Sequence, residues 1–384
     1  MDRPPAALLP QLRFPVAQSR GRRYPEPEHL YRNAFRRDRD RIVHARAFRR
    51  LEDKTQVFSL PVSDHFRNRL THTIEVAQMA RTVAGVLGLD EDLTEALALG
   101  HDIGHPPFAH AGENELDRQM RRHGDRFDHN RHALRIVESF ENPYARFPGL
   151  NLTFEVREGM VKHSRDLEPA DCAGFEEYLP DLRPPLEAQL IDLADEIAYD
   201  AADLDDAFAA GMIDMPQAAA AVPLFAEIVD AVEYQFPGAP ERVRFLEAQR
   251  KLIDALVSGL IEGTVAGASG LADHDAVRRA PSRVARYALS AAEAAAALKR
   301  FLHREVYDSP PLCAERARAT TMIAELFELF MERPELMPET YAARARFEAV
   351  HRVVCDYIAG MTDGFFRRTY TNVMAAARRS KSGA

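Results

Sequence analysis

At 384 residues, 46% of them apolar and 28% charged, the chain is long enough for one large domain or a few ordinary ones and has the balance of a soluble globular protein. Its formal charge of −9 argues against binding nucleic acid over the whole surface, because such binding relies on neutralising phosphates. The widely spaced cysteines Cys172, Cys313 and Cys355 offer neither a disulfide framework nor a thiolate zinc site.

The opening "MDRPPAALLPQLRFP" has neither the basic start nor the long apolar stretch of a secretory leader, and no apolar run approaches the roughly 20 residues of a membrane span. Cytoplasmic residence is the expectation. Residues 1–27 carry Pro and Arg without periodicity and read as an arm or a poorly ordered lead-in. Residues 28–210 read as the core, and 211–384 as a helical region packed on it. Within the core, "RNAFRRDRDRIVHARAFRR" (32–50) concentrates arginine, either to grip phosphate or to contact another subunit. Ala, Leu, Glu and Arg dominate throughout, so the expected architecture is all-α.

"THTIEVAQMARTVAGVLG" reads as a helix with Ile74, Ala77, Val83 and Leu87 near one face and Gly88 as its stop. "LDEDLTEALALG" follows, with Asp90 as N-cap and Gly100 as its end. "HDIGHPPFAHAGENE" (101–115) then gathers three histidines, an aspartate and two glutamates around two prolines, which forbid one unbroken helix. The clearest helix runs from Pro185 to about Phe208, on the stripe Leu186, Leu190, Leu193, Ala194, Ile197, Ala201 and Leu204. "GMIDMPQAAAAVP" and "TVAGASGLADHDAVRRAP" read as connections, and segments around 290–304, 316–332 and 339–375 as helices.

Imidazole nitrogens and carboxylate oxygens together suit a divalent first-row metal. His72 would start one helix, and His101-Asp102 would follow the end of the next. An antiparallel pair joined by a short turn brings those two ends level. Asp195 lies beside the apolar stripe of the long later helix and so can point inward. Two imidazoles and two carboxylates leave room for waters and phosphate oxygens.

The chain resembles the deoxyguanosinetriphosphate triphosphohydrolase-like group of HD-domain phosphohydrolases. The likeness is carried by "RDRDRIVHARAFRRLEDKTQVF" (37–58), "HFRNRLTHTIEVAQMAR" (65–81), "LGHDIGHPPFAHAGE" (99–113), "FDHNRHALRIV" (127–137), "VKHS" (161–164), "LADEIAYDAADLDDA" (193–207) and "CDYIAGMTD" (355–363), in the family's order. The resemblance implies an HD-domain helical bundle with peripheral helices and one divalent ion held by His72, His101, Asp102 and Asp195. Manganese or magnesium is expected there, with cobalt or iron also compatible. It further implies hydrolysis of a deoxynucleoside triphosphate to the deoxynucleoside and intact inorganic triphosphate. An HD phosphohydrolase acting on nucleoside monophosphates or other phosphoesters is the alternative. Its members form homo-oligomers, often hexamers, with deoxynucleoside triphosphates as substrates and sometimes as effectors. Single-stranded nucleic acid is a further partner to test for.

His110 and Glu113, three residues apart at the start of a helical turn, can share a face. A carboxylate on one imidazole nitrogen leaves the other to move a proton. By resemblance His110 protonates the departing sugar oxygen and Glu113 orients it. His105 and His129 occupy histidine positions of the family near the phosphates, with packing the alternative for His129. Lys162 and His163 are placed near the site by resemblance alone. Arg69, one turn before His72, suits bidentate phosphate contact. Asp195, Tyr199 and Asp203 recur every four residues and so stack along one face. By resemblance Tyr199 packs against the sugar C2′ edge, while Asp203 and Gln56 take the 3′-hydroxyl. The chain departs from many relatives at Ala202, where they have histidine, at His132, often glutamine, and at Gly364, often arginine. Those departures bear on base preference and the C-terminal contact, not on the metal set.

Overall fold

A computed structural model of the chain describes residues 7–57, 67–167 and 174–382, the last four as backbone only. Cys172 and the first residues of the expected arm lie outside them. No strand forms among the described residues; only the isolated bridges Arg22–Thr153 and Thr55–Asn68 pair extended backbone. The all-α expectation is met. No described helix is long and apolar enough to cross a membrane.

Residues 7–27 are packed rather than loose. Leu9, Leu12 and Phe14 enter the main core, and the backbone N–H groups of Leu8 and Leu9 donate to the carbonyls of Val86 and Leu87. The arm thus satisfies carbonyls that a helix end leaves unpaired. Its apolar residues follow no single period, which is why a pattern search passes over them.

Helix α1 (Ala34–His44) is capped by Asn33, whose side chain accepts from the Arg36 N–H, and leads into the short α2 (Arg46–Arg49). Helix α3 (Arg69–Leu87) begins at the Asn68 cap and ends where Gly88 turns left-handed at φ +80°. Its inner face is Val76, Ala77, Ala80, Val83, Ala84 and Leu87. Ile74, expected inward, is 52% exposed. It sits two residues, and so roughly half a turn, from both His72 and Val76, which point in. Helix α4 (Glu91–Gly100) is capped by Asp90, which accepts from Leu93 N–H at 2.9 Å. Then come α5 (Ala109–Arg121), α6 (His129–Arg135), α7 (Phe154–Val161) and the long α8 (Leu186–Ala209).

Both expected connections contain helix. "GMIDMPQAAAAVP" forms α9 (Met215–Ala221), started by a reciprocal capping box between Asp214 and Gln217, with Pro216 in the first turn where it forfeits no helical bond. After α10 (Pro223–Gln235), α11 runs through "TVAG" (Glu241–Gly267), and α12 (His274–Arg278) follows. Gly263 and Gly267 are close-approach positions: a Cβ on Gly263 would lie 2.2 Å from the Tyr287 carbonyl carbon, and one on Gly267 2.5 Å from the Val284 carbonyl oxygen. Helices α13 (Leu289–Leu302), α14 (Pro310–Glu332), α15 (Glu339–Arg344), α16 (Val350–Ala359) and α17 (Asp363–Ser382) complete the chain.

Helices α3, α4 and α8 pack mutually, with α1 against α4 and α11 and α13 against α8. A second apolar cluster joins Leu116 and Met120 of α5 to Ile323, Phe327, Val354 and Ile358 of α14 and α16. The helix that carries His110 is therefore clasped by the C-terminal helices.

Glu187, fully buried on α8, ties three pieces together. Its Oε1 accepts from Phe14 N–H at 2.9 Å and Asp90 N–H at 3.1 Å, while Oε2 finds no partner among the described residues. Burial pushes its carboxyl up to about 7 from the usual 4.5, against the pull of those two hydrogen bonds. The proton is held more tightly folded than unfolded, so this stabilisation is present below pH 4.5 and is lost as pH rises through about 7. The Glu187→Gln protein should gain on the natural one between pH 5 and 8, by on the order of 3 kcal/mol. Urea midpoints at the two pH values check this; a constant difference would contradict it.

Candidate active site

Because α3 and α4 run antiparallel through a short turn, the start of one and the end of the other meet, as expected. His72 lies in the first turn of α3, and His101 and Asp102 just past α4. Asp195 reaches them from α8. His72 Nε2 is 2.8 Å from Asp195 Oδ1, and His101 Nε2 is 3.6 Å from both Asp195 Oδ1 and Asp102 Oδ1. Around one divalent ion with bonds of roughly 2.1 Å, adjacent ligand atoms sit about 3 Å apart, so these separations fit a shared ion. The His101 Nδ1 faces the Ala98 carbonyl at 2.6 Å, which fixes the ring and leaves Nε2, buried and with no hydrogen bond among the described residues, to serve as ligand. The four donors therefore suit a divalent cation.

The carboxylates are held charged. Burial alone would raise both, but Arg69 and the neighbouring imidazoles keep Asp102 well below the usual carboxylate range. Contacts with His101, His163 and His72 do the same for Asp195. Arg69 Nη1 donates to Asp102 Oδ2 at 2.6 Å.

The site opens into a cavity of about 470 Å³. Gln56, Arg69, His110, His129 and Tyr199 of the expected set line it. The Gln56 Oε1 is buried and has no partner among the described residues. Glu113 joins two imidazoles: Oε2 faces His110 Nδ1 at 3.3 Å, and Oε1 faces His129 Nδ1 at 2.7 Å. Burial would raise this carboxyl, yet His129 and His110 hold it far below its ordinary value. His105 stacks on His129 with ring centroids 3.9 Å apart, and its other side meets His110 at 5.5 Å. Burial, then Arg69, pushes His105 well down, so it is neutral. Stacked rings aim their nitrogens in parallel rather than at one point, so His105, Glu113 and His129 read as a proton network and not a second cation site. The stack needs Gly104, where a Cβ would lie 1.9 Å from the His129 carbonyl oxygen.

His110 follows two left-handed residues that are not glycine, Phe108 (φ +63°) and Ala109 (φ +52°). Each such conformation costs on the order of 1–3 kcal/mol and persists only where the surroundings enforce it.

Two expected residues are elsewhere. The Lys162 ammonium is fully buried and spends its donors on Glu158 Oε1 (2.8 Å) and the carbonyls of Leu179 (2.8 Å) and Leu182 (2.7 Å), away from the cavity. A buried ammonium needs that many acceptors, and it has none left for substrate. Asp203 does not line the cavity; its Oδ2 accepts from the Tyr307 hydroxyl, and Tyr307 does line it. His163 is at the site, with Nδ1 2.8 Å from Asp192 and Nε2 3.6 Å from Asp195 Oδ2. Sequence reasoning missed Lys299, His303 and Tyr307, which also line the cavity, Lys299 paired with Glu196 and Tyr307 beside Tyr199. They recur every four residues, the same signal as Asp195, Tyr199 and Asp203. Tyr307 ends a π-turn, His303–Tyr307, of the kind common at functional sites.

The arginines of the 32–50 segment largely meet acids of the same chain. Arg32 pairs with Asp40, Arg36 with Asp92, Arg37 and Arg41 with Glu26, and Arg39 with Asp40 and Glu95.

Two family models match the chain: the HD domain over residues 69–200 and the phosphohydrolase-associated domain over 286–372. Among similar proteins, one from Caulobacter sp. (strain K31) is 44% identical over 91% of this chain and 92% of its own. One from Ralstonia nicotianae is 44% identical over 94% and 93%, and one from Azoarcus sp. (strain BH72) 45% over 94% of each. All three are named deoxyguanosinetriphosphate triphosphohydrolase-like protein.

Metal analysis of purified protein should find one equivalent of a divalent ion, lost in His101→Ala and Asp195→Ala. Chelation should lower the stability of the natural protein by about 2.7 kcal/mol if the ion was present at a hundred times its Kd. Full metal retention in both variants would contradict the ligand set.

Proposed function

Because the chain belongs to the deoxyguanosinetriphosphate triphosphohydrolase-like family and is a hydrolase of the HD superfamily, we propose that it cleaves deoxynucleoside triphosphates, dGTP-like, to the deoxynucleoside and intact inorganic triphosphate. The observation that carries this reading is that His72, Asp102 and Asp195 of the divalent ligand set, His110 and the Tyr199 and Tyr307 rings all line one cavity of about 470 Å³. Manganese or magnesium is the proposed ion.

A bound divalent cation supplies charge neutralisation at the attacked phosphate and a more acidic water. The chain's own residues supply position and protons, on which phosphoryl transfer chiefly depends. Arg69, anchored to Asp102, presents fixed positive charge to the phosphate oxygens. Neutral His105 has one N–H and stands with Nδ1 2.9 Å from Asp102 Oδ1, so it donates to the phosphate oxygens in the tautomer that carries the proton on Nε2. The Glu113 carboxylate accepts from Nδ1–H of His110, so the imidazolium form carries its second proton on Nε2, and that proton goes to the departing 5′ oxygen, leaving a neutral ring.

Tyr199 and Tyr307, with ring centroids 6.1 Å apart, offer the face against which the sugar C2′ edge would pack. The unpaired Gln56 Oε1 is an acceptor for the 3′-hydroxyl. Asp203 contributes by fixing the Tyr307 hydroxyl rather than by touching the sugar.

Incubating the metal-loaded protein with each deoxynucleoside triphosphate, singly and mixed, should yield triphosphate and deoxynucleoside, resolved by ion exchange. His110→Ala should lower kcat by about 10²–10⁴-fold with metal content unchanged. Orthophosphate or pyrophosphate as first product would count against the proposed cleavage. Tyr199→Ala should narrow the preference for deoxy- over ribonucleotides, read as the ratio of kcat/KM values.

A further inference from the structure

The block "CDYIAGMTD" (355–363) lines no part of the cavity, yet it holds the loops that do. Asp363 begins α17 and is 9% exposed. An aspartate there would ordinarily satisfy its own helix's N–H groups. Here Thr362 Oγ1 takes the Phe365 N–H at 3.3 Å instead, and both Asp363 oxygens reach far away in sequence. Oδ1 accepts from Phe108 N–H at 3.0 Å, and Oδ2 from Thr55 N–H at 3.1 Å.

Those two amides border the active site. Phe108 and Ala109 are the left-handed residues immediately before His110, and Thr55 immediately precedes Gln56. Neighbouring contacts grip the same turn. Buried Lys54 donates to the carbonyls of His105 and Ala359. The Phe366 ring meets Phe108 edge-on at 5.2 Å, and the Arg367 guanidinium lies 4.9 Å over the Phe108 ring.

We propose that Asp363 is a positioning residue: its carboxylate locks the left-handed Phe108–Ala109 turn to the Thr55–Gln56 segment and thereby sets His110 against the cavity. One acceptor per loop is required, which a carboxylate provides and a hydroxyl or amide oxygen provides less well. The 355–363 block thus acts on the reaction by holding a strained turn, while lining no part of the cavity itself. The kinetic part of this inference rests on His110 being the proton donor proposed above.

Asp363→Ala is expected to lower kcat by about 10- to 100-fold with little change in KM, as a misplaced catalytic group does. Asp363→Asn, which keeps one acceptor, should fall between and serves where the alanine protein folds poorly. Three readouts separate positioning from general stability. Hydrogen exchange should quicken in a peptide spanning 104–112 but not in α3 or α8, with one metal equivalent retained. In a His110→Ala background, Asp363→Ala should cost no further activity. Adding Ala109→Gly, which adopts the left-handed turn without strain, should recover part of the rate lost in Asp363→Ala. Unchanged exchange over 104–112, or equal losses with and without His110, would overturn the inference. Because exchange needs no substrate, a failure of the proposed reaction would not be mistaken for a failure of the lock.

Discussion

The Asp195 carboxylate against three imidazoles is the contact around which the rest is arranged. His72, His101 and His163 all approach it, and each comes from a different part of the chain. Removing such groups from water is expensive and is offset only when every partner is in place. Helices α3, α4 and α8 meet that demand by packing closely through buried alanines, among them Ala77, Ala80, Ala96, Ala98, Ala194 and Ala198. Larger side chains at those positions would spread the helices and separate the ligands. The ordinary apolar core and the charged site are consequently one construction: the first fixes helix axes, and the second uses their ends.

Legibility in the sequence follows from how local each placement is. Helix ends are local events, so Asn68, Asp90 and Gly88 mark where His72 and His101 must lie. Register is local too, and it puts Asp195 and Tyr199 on one face of α8. What the chain does at a distance leaves no such trace. Lys162 sits in a motif beside His163, but neighbouring residues point opposite ways, and one reaches Glu158 while the other reaches Asp195. Asp203 shares the face of Asp195, yet Tyr307, more than a hundred residues later, takes its oxygen. Ile74 reads as core only if the helix face is guessed without knowing that His72 is itself turned inward. Alanine-rich α9 and glycine-bearing α11 were hidden for a related reason. The short α9 depends on its cap, while α11 has an apolar stripe, Phe245, Leu252, Leu256 and Leu260, whose last turns continue through glycines set by close packing.

Charge is spent locally as well. With more acids than bases, the chain still concentrates arginine in α1, and that excess is absorbed by Glu26, Asp40, Asp92 and Glu95. Arg22 reaches Asp38, fully buried in the same helix, and Thr153 N–H and Oγ1 also donate to it. The segment therefore binds the arm and α4 to the core. Cation–acid pairs of this kind, partly buried and shared among several partners, hold geometry better than isolated surface pairs do.

The two matched blocks divide the labour unequally but neither closes the site. Residues 69–200 carry the proposed metal ligands and the imidazole network, whereas Lys299, His303, Tyr307 and Arg316 in 286–372 add further lining to the same cavity. A bundle with ligands alone would leave phosphate chemistry open to bulk water and to any phosphoester that could reach the ion. The added wall makes a cavity, and a cavity can exclude. It also supplies the clasp on α5 and on the turn before His110, so the same helices that narrow the cavity hold the residue proposed above as the proton donor. On that proposal, specificity and proton transfer are coupled through packing. Any change that loosens α14 or α16 from α5 therefore acts on both at once.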